Sequence, residues 1–114
     1  MSLMQLSIYG HEMIVIYTTV ANIEQAKLIA KTLLAERLVA CVNMWPISSM
    51  CSWNEKIESS TEVAMFLKTT NACQEAVYQR VIELHSYECP AIITIDVKQS
   101  HPAFAQWVQT ETSS

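Results

Sequence analysis

The stretch Met13-Ile14-Val15-Ile16-Tyr17-Thr18-Thr19-Val20 is followed at once by a helical pattern, and this junction decides the fold. Its residues are nearly all β-branched or apolar, which predicts a strand buried on both faces. Asn22 is a suitable N-cap, and Gln25 is its capping-box partner three residues later. A helix is then predicted to about Arg37, because apolar residues follow at helical spacing: Ala26, Ile29, Ala30, Leu33 and Leu34. The chain therefore opens with a β-α unit.

The next part of the sequence predicts two strands joined by a turn. Residues 38–45 form the first of them, and we expect Pro46 to interrupt or bulge it and to lie at an edge or irregular position. Strand-compatible residues continue to Trp53. Asn54-Glu55 has the composition of a turn without the usual glycine, and residues 61–69 form the third strand.

A second helix and a fourth strand complete the alternation. Asn71 is predicted to cap the helix, again with a glutamine, Gln74, three residues later. Its inward stripe consists of Cys73, Ala76, Val77, Val81 and Leu84. After Pro90, residues 92–97 form a strand, and His101-Pro102 opens a short last helix that runs to Trp107.

The predicted order is β-α-β-β-α-β plus a terminal helix, which is an α+β, ferredoxin-like sandwich. The stretch 38–69 holds more strand than one small sheet can pair, so part of it is expected to extend as a hairpin arm whose edges invite another chain. We expect one domain over residues 1–114, with an N-terminal extension at 1–11 and a core at 12–110.

Composition narrows the class of protein. Hydrophobic residues make up 51% of the chain and charged residues only 16%, so some apolar surface is expected to be buried between subunits. The net charge is −4 without a basic cluster, which argues against nucleic-acid partners and anionic membranes. No apolar run is long enough to cross a bilayer.

The four cysteines, Cys41, Cys51, Cys73 and Cys89, lie far apart and form no C-x-x-C pair. With no secretory signal in the sequence, reduced thiols in a cytoplasmic protein are the expected state. Most of them are expected to pack as small hydrophobic residues.

The joint His85-Ser86-Tyr87-Glu88-Cys89-Pro90 concentrates polar chemistry between a helix and a strand. His85 is a candidate metal ligand with Glu88 as a second ligand or orienting partner, and Cys41 is a candidate soft ligand for copper. The alternatives are that His85 hydrogen-bonds the last carbonyls of its helix and that Cys41 packs in the core.

A second group suggests a cleft for a small ligand. Lys68 and Glu62 lie on a strand of a sparsely charged chain, where they would bind a small anion or act as acid and base, or else form a solvated ion pair. Tyr87 belongs to the same candidate cleft, and Trp53 is a candidate interface aromatic residue.

Enzymatic interpretations find little support. The sequence contains none of the hydrolase, zinc-protease, P-loop or dinucleotide-binding fingerprints, and its single glycine, Gly10, rules out a glycine-rich phosphate loop. A nucleophile pair of Cys41 or Cys89 with His85 remains open, although nothing in the sequence positions it.

Over residues 12–110 the sequence resembles the CutA divalent-ion tolerance proteins. The resemblance is carried by Tyr17-Thr18-Thr19, Ala40-Cys41-Val42-Asn43, Trp53 and Lys56 within 49–57, Glu62-Val63, Leu67-Lys68-Thr69-Thr70, His85, Tyr87, Glu88 and Pro90, and Gln106-Trp107-Val108. It implies a ferredoxin-like subunit, a homotrimer closed by inter-subunit strand pairing, and a role in tolerance of copper or other divalent cations. The trimeric plan is also similar to that of PII signalling proteins.

The chain departs from the family pattern at several positions. Ser86 stands where members usually carry proline, and Cys51-Ser52-Trp53-Asn54-Glu55-Lys56 lacks two aromatic residues and the turn glycine. Tyr17 and Leu84 stand where some members carry a cysteine and a second histidine, so a copper site built on those ligands would be incomplete here.

The resemblance implies a trimeric divalent-cation tolerance protein, and the residue pattern adds His85, Glu88 and Cys41 as candidate ligands for copper or another divalent cation, with no catalytic activity expected. The alternative is a PII-like module whose subunit clefts bind a small ligand or a partner protein.

Overall fold

The computed structural model describes residues 12–112, and within them three α-helices alternate with four strands. The elements are β1 (Met13–Val20), α1 (Ile23–Ala35), β2 (Cys41–Trp53), β3 (Lys56–Thr70), a 3₁₀ turn (Asn71–Cys73), α2 (Gln74–Leu84), β4 (Ile92–Asp96) and α3 (Pro102–Glu111). The strands form one antiparallel sheet in the order β2-β3-β1-β4. The predicted ferredoxin-like class is confirmed. The predicted extension at 1–11 lies outside the described residues.

The core lies between one face of the sheet and helices α1 and α2. Every second residue of β1 is buried, beginning with Ile14 and Ile16. Ile29 and Leu33 of α1 and Val77 and Val81 of α2 pack against this face, and a fully buried side chain of this kind stabilises the fold by about 1.5–3 kcal/mol. The other residues of β1 are only half-buried, so the prediction of burial on both faces holds for one face of the single chain.

The ends of α1 are set by two different kinds of contact. Asn22 Oδ1 accepts a hydrogen bond from the Gln25 N–H at 2.8 Å, as predicted. The Gln25 side chain does not close a capping box, because its Nε2 donates instead to the Leu84 carbonyl of α2 at 3.0 Å. At the other end, Arg37 adopts a φ of 60° and completes a Schellman motif with Leu38.

The start of α2 differs from the prediction. Asn71 does not cap the helix, since residues 71–73 form a 3₁₀ turn and α2 begins at Gln74 without a side-chain cap. Val77 and Val81 are buried as expected, whereas Ala76 is exposed. The first turn of this helix therefore rotates Ala76 away from the core.

Helix α3 is longer than predicted and is anchored at both ends. His101 Nδ1 accepts from the Ala103 N–H at 3.2 Å, and Pro102 occupies the first turn, as expected for an N-terminus. The helix continues beyond Trp107 to Glu111. There the Arg37 guanidinium donates to the carbonyls of Thr110 at 2.8 Å and Glu111 at 3.3 Å, which satisfies the open end of the helix.

Strands β2 and β3 extend past the rest of the sheet as a hairpin arm, residues 47–62. Beyond the last β1 pair, Val20 with Val63, these strands pair only with each other. Pro46 does not interrupt β2. It stays in register opposite Val63, and it lies in an edge strand, where its missing N–H is tolerated. The arm contributes to the elongated dimensions of the chain, 53 × 26 × 21 Å.

Candidate functional site

The segment between α2 and β4, residues 85–91, is the His85 loop, and it is fastened to the end of β1. The His85 N–H donates to the Val81 carbonyl at 2.9 Å and closes α2. Thr18 Oγ1 donates to the Ala91 carbonyl at 2.7 Å, and the His85 ring contacts the Thr19 carbonyl. Two neighbouring residues of one strand thus hold both ends of the loop.

Both nitrogens of the His85 ring are engaged. Nδ1 accepts a hydrogen bond from the Tyr87 N–H at 3.1 Å, so in the neutral ring the proton lies on Nε2. Nε2 therefore donates to the Thr19 carbonyl at 2.8 Å. The ring bonds to β1 and to its own loop, so the alternative that it bonds the last carbonyls of α2 is not what the structure shows. The Leu84 carbonyl at that helix end accepts instead from Gln25.

Tyr87 links the loop to β3. Its hydroxyl donates to Glu62 Oε2 at 2.8 Å, and its ring lies 4.9 Å from the His85 ring, centroid to centroid. Burial, followed by the hydrogen bond and the negative charge of Glu62, raises the pKa of Tyr87 to about 12. The phenol therefore keeps its proton at neutral pH and remains a donor to the carboxylate.

Glu62 occupies a particular place in the sheet. It is the first β3 residue beyond the end of β1, and it pairs across the sheet only with Ile47 of β2. The cluster of His85, Tyr87 and Glu62 therefore lies at the base of the arm. We call this cluster the latch.

The three residues predicted to bind metal do not meet in one chain. Glu88 is exposed and lines a separate groove of about 290 Å³ with Tyr78, Ile82, Cys89, Pro90 and Ile92. Cys41 pairs with Lys68, whereas Thr19, which His85 contacts, pairs with Ala64, about 13 Å away along β3. Among residues 12–112, no three histidine, cysteine or acidic side chains lie close enough together to hold a metal ion.

The predicted ligand cleft is also divided. Tyr87 and Glu62 are bonded to each other, but Lys68 lies about 20 Å along β3 from Glu62, with its Nζ 5.5 Å from the centre of the Phe104 ring. Trp53 lies at the tip of the arm opposite Lys56 and is 62% exposed. Only two of the four candidate cleft residues therefore share a site in the single chain.

Sequence reasoning missed the parts played by Thr18, Thr19 and Gln25. Thr18 is fully buried, and its hydroxyl donates a hydrogen bond to the Ala91 carbonyl, 73 residues further along the chain. A threonine on the inward face of a core strand is the signal that a distant acceptor must exist, although the sequence does not identify the acceptor.

The face of the sheet opposite α1 and α2 is apolar and partly uncovered; we call it the open face. Tyr17 and Trp45 pack edge-on against Phe66, with ring centroids 6.1 and 4.9 Å from it. Beside them Ile93 is 52% exposed and Ile95 is 41% exposed.

No helix among residues 12–112 is long and apolar enough to cross a membrane.

Comparison with known proteins gives consistent matches. The family model for the CutA1 divalent ion tolerance protein matches residues 14–111. A divalent-cation tolerance protein CutA from Pyrococcus horikoshii is 42% identical over 100 residues, which cover 88% of this chain and 98% of that protein. The human protein CutA is 37% identical over 99 residues, which cover 86% of this chain and 55% of that protein.

Solved structures agree with these matches. The structure of the periplasmic divalent cation tolerance protein CutA from Archaeoglobus fulgidus superposes with a TM-score of 0.87 at 38% identity, covering 89% of this chain and 99% of that one. A divalent ion tolerance protein CutA1 from Ehrlichia chaffeensis gives a TM-score of 0.87 at 36% identity, covering 90% of this chain and 97% of that one.

Proposed function

This chain belongs to the CutA1 divalent ion tolerance family, and from that premise we propose that it acts in divalent-cation tolerance as a homotrimer that binds copper or another divalent cation. The proposed role is binding, without catalysis. The observation that carries the proposal is the open face of the sheet, because it gives a reason for subunits to assemble around a shared site.

Three features support the trimer. The open face leaves Ile93 and Ile95 exposed to water, which favours burial against another subunit. Strands β2 and β4 each have one edge without a partner in the described sheet. The outer edge of the arm, residues 47–53, carries no charged residue to discourage an added strand.

The trimer is tested by the mass in solution. We expect light scattering to give about three times the subunit mass of 12.9 kDa. Ile93→Lys places a charge in the open face and should dissociate the assembly, whereas Leu28→Lys is a matched control on the outer side of α1, since the two residues are 52% and 54% exposed. A wild-type mass equal to one subunit would contradict the trimer.

For the metal we propose His85 and Glu88 as ligands, with Cys41 as a third donor. The Nδ1 atom of His85 is held by a single backbone N–H, a bond that a metal ion can replace. Glu88 is exposed on the same loop, and carboxylate, imidazole and thiolate together suit copper and zinc. Cys41 is distant from His85 in one chain, so its part in the site requires a neighbouring subunit to supply it.

The metal site is tested by stoichiometry. Reduced protein is equilibrated with copper and with zinc separately, and bound metal per subunit is measured for the wild type, His85→Ala, Glu88→Ala and Cys41→Ser. His101→Ala is the matched control, because His101 is an exposed histidine that caps α3. Binding that disappears in His85→Ala and persists in His101→Ala supports the site, and equal binding in both variants refutes it.

One observation favours a second candidate function, a PII-like module that binds a small ligand or a partner protein. Both His85 nitrogens are already bonded, and the Tyr87–Glu62 pair offers a hydroxyl and a carboxylate at the base of the arm. In this case a ligand from a metabolite screen should raise the melting temperature, and Tyr87→Phe should abolish that rise. If no compound in a broad screen shifts the melting temperature, this candidate is rejected.

We also propose a cytoplasmic location. All four cysteines are free, as expected for a reducing compartment. Cell fractionation and titration of free thiols in freshly isolated protein test this, and recovery in an oxidising compartment would reject it.

A further inference from the structure

The latch joins the His85 loop directly to the base of the arm, to which the loop is otherwise connected only through β1 and the β1–β3 pairing. The His85 loop is held by β1, through Thr18 and Thr19, while the arm has no β1 partner beyond Val63. Among the hydrogen bonds of residues 12–112, the bond from the Tyr87 hydroxyl to Glu62 is the one that ties this loop to β3.

Tyr87 makes both bonds of the connection. Its backbone N–H donates to His85 Nδ1 and its hydroxyl donates to Glu62 Oε2, so the position of the residue depends on both ends. The two side-chain rings also contact each other, with centroids 4.9 Å apart. If the His85 ring moves away from the Tyr87 N–H, Tyr87 loses one of the contacts that position it. The hydrogen bond from its hydroxyl to Glu62 is then weakened.

We infer that Tyr87 couples the state of the His85 ring to the order of the arm. When the ring no longer accepts the Tyr87 N–H, the loop loosens, the hydroxyl leaves Glu62 and the base of the arm opens more often. The coupling is reciprocal, because a constraint placed on the arm also holds the ring in its hydrogen-bonded position. Because the proposed metal site uses Nδ1, a metal ion bound there would displace the Tyr87 N–H and make the base of the arm open more often, a consequence that rests on the proposed function.

The coupling itself is tested without metal, by amide hydrogen exchange of the full chain. In His85→Ala we expect the arm amides of residues 58–62 to exchange about fivefold faster than in the wild type, and in Tyr87→Phe by a similar factor. The double variant should be no faster than Tyr87→Phe alone, because both changes break the same connection. Unchanged arm exchange in His85→Ala, or factors that multiply in the double variant, would overturn the inference.

A second variant tests the coupling from the Glu62 end and leaves His85 unchanged. Glu62→Ala should speed exchange of the Tyr87 amide, which is bonded to His85 Nδ1 rather than to Glu62. Glu58→Ala is the matched control, since Glu58 lies on the same face of β3 four residues further along the arm. Equal exchange of the Tyr87 amide in these two variants would also contradict the coupling.

Metal added to the wild type separates this inference from the proposed function. Bound copper or zinc that speeds arm exchange supports both. Bound metal that leaves arm exchange unchanged overturns the link between ligand and arm. If no metal binds, the proposed metal function fails, and the exchange rates of the metal-free variants still decide the coupling.

Discussion

The side-chain amide of Gln25, in the first turn of α1, donates a hydrogen bond to the carbonyl of Leu84, the last residue of α2, at 3.0 Å. The last carbonyls of a helix have no partner within the helix, so this bond satisfies a group that is otherwise left over. It also fixes the end of α2 immediately before His85. The position of the latch is thus set partly by a residue on another helix.

Removal of this bond should lower stability measurably. Gln25→Ala leaves the part-buried Leu84 carbonyl without its partner, and we expect a loss of about 1 kcal/mol in the free energy of unfolding. Gln79→Ala is the control, since Gln79 bonds to Glu75 on the exposed side of α2 and its loss should cost less than about 0.5 kcal/mol. Urea unfolding at one fixed protein concentration checks both, and equal losses would contradict the role of Gln25.

The Tyr87 hydroxyl should lose its proton at a higher pH than an ordinary tyrosine. Its pKa is raised from 10.0 to about 12, so the folded state holds this proton more tightly than the unfolded state. The stability that it contributes is fully present below pH 10.0 and is lost as the pH rises towards about 12. In a pH titration followed by the ultraviolet absorbance of ionised tyrosine, the step at the highest pH should therefore be missing in Tyr87→Phe.

The cause of this shift can be divided experimentally. Burial is the largest cause and the Glu62 hydrogen bond is the second, so Glu62→Gln should lower the pKa of Tyr87 without returning it to 10.0. Tyr78→Phe, a change in the groove that Glu88 lines and outside the latch, should leave the late component in place. Loss of that component in Tyr78→Phe would show that it belongs to another residue.

The tip of the arm should tolerate glycine better than its present residue. Asn54 and Glu55 have φ values of 51° and 63°, a left-handed conformation that is costly for glutamate and free for glycine. Glu55→Gly should therefore raise the free energy of unfolding by about 1 kcal/mol.

The same substitution three residues away should have the opposite sign. Glu58 lies within the extended part of β3, where glycine loses more chain entropy on folding, and Glu58→Gly should lower stability by about 0.5–1 kcal/mol. Thermal unfolding at one protein concentration compares the two variants, and a loss of stability in Glu55→Gly would contradict the proposed conformation of the turn.

The ion pair between α1 and α2 should make stability depend on acid pH. Arg80 donates to Glu36 at 2.8 Å, and this hydrogen bond lowers the pKa of Glu36 below 4.5. The folded state therefore binds this proton less tightly than the unfolded state, and the stabilisation is present above pH 4.5 and is lost as the pH falls through the folded pKa.

Glu36→Gln should remove this dependence. We expect the variant to be less stable than the wild type at neutral pH, with a difference that shrinks as the pH falls below 4.5. The difference should be small and should decrease with added salt, because the pair is on the surface. Glu58→Gln is the control, since Glu58 belongs to neither ion pair of Arg80. A constant difference across the acid range would reject this account.

Local sequence patterns predicted most helices and strands correctly. They gave wrong hydrogen-bond partners where a distant part of the chain competes for the same polar group. Strand β1, Met13–Val20, was predicted correctly because a run of β-branched and apolar residues can be recognised from the local sequence alone. Gln25 was assigned to its own helix cap, but the Leu84 carbonyl, 59 residues away, takes its amide. Asn71 has the right chemistry for a cap, yet the chain enters α2 through a 3₁₀ turn.

The candidate site shows the same division. The joint His85–Pro90 was recognisable because unusual side chains gather between a helix and a strand. The bond from Tyr87 to Glu62 was not predictable, since it depends on Glu62 being the first β3 residue beyond the end of β1. That fact follows from the register of two strands, which a single sequence specifies only through the whole packed sheet.

The strand order β2-β3-β1-β4 has a consequence for how the molecule forms during synthesis. β1 is the earliest of these strands in the chain, yet it lies between β3 and β4, and its last partner, Asp96, is more than 80 positions further along. Until that residue has left the ribosome, one side of β1 has nothing to pair with. Contacts this distant are slow to form, and a strand that waits with an unpaired edge is exposed to association with other chains. The apolar strand that carries Ile14 and Ile16 therefore keeps one edge unpaired over the whole interval in which residues 21–91 are made.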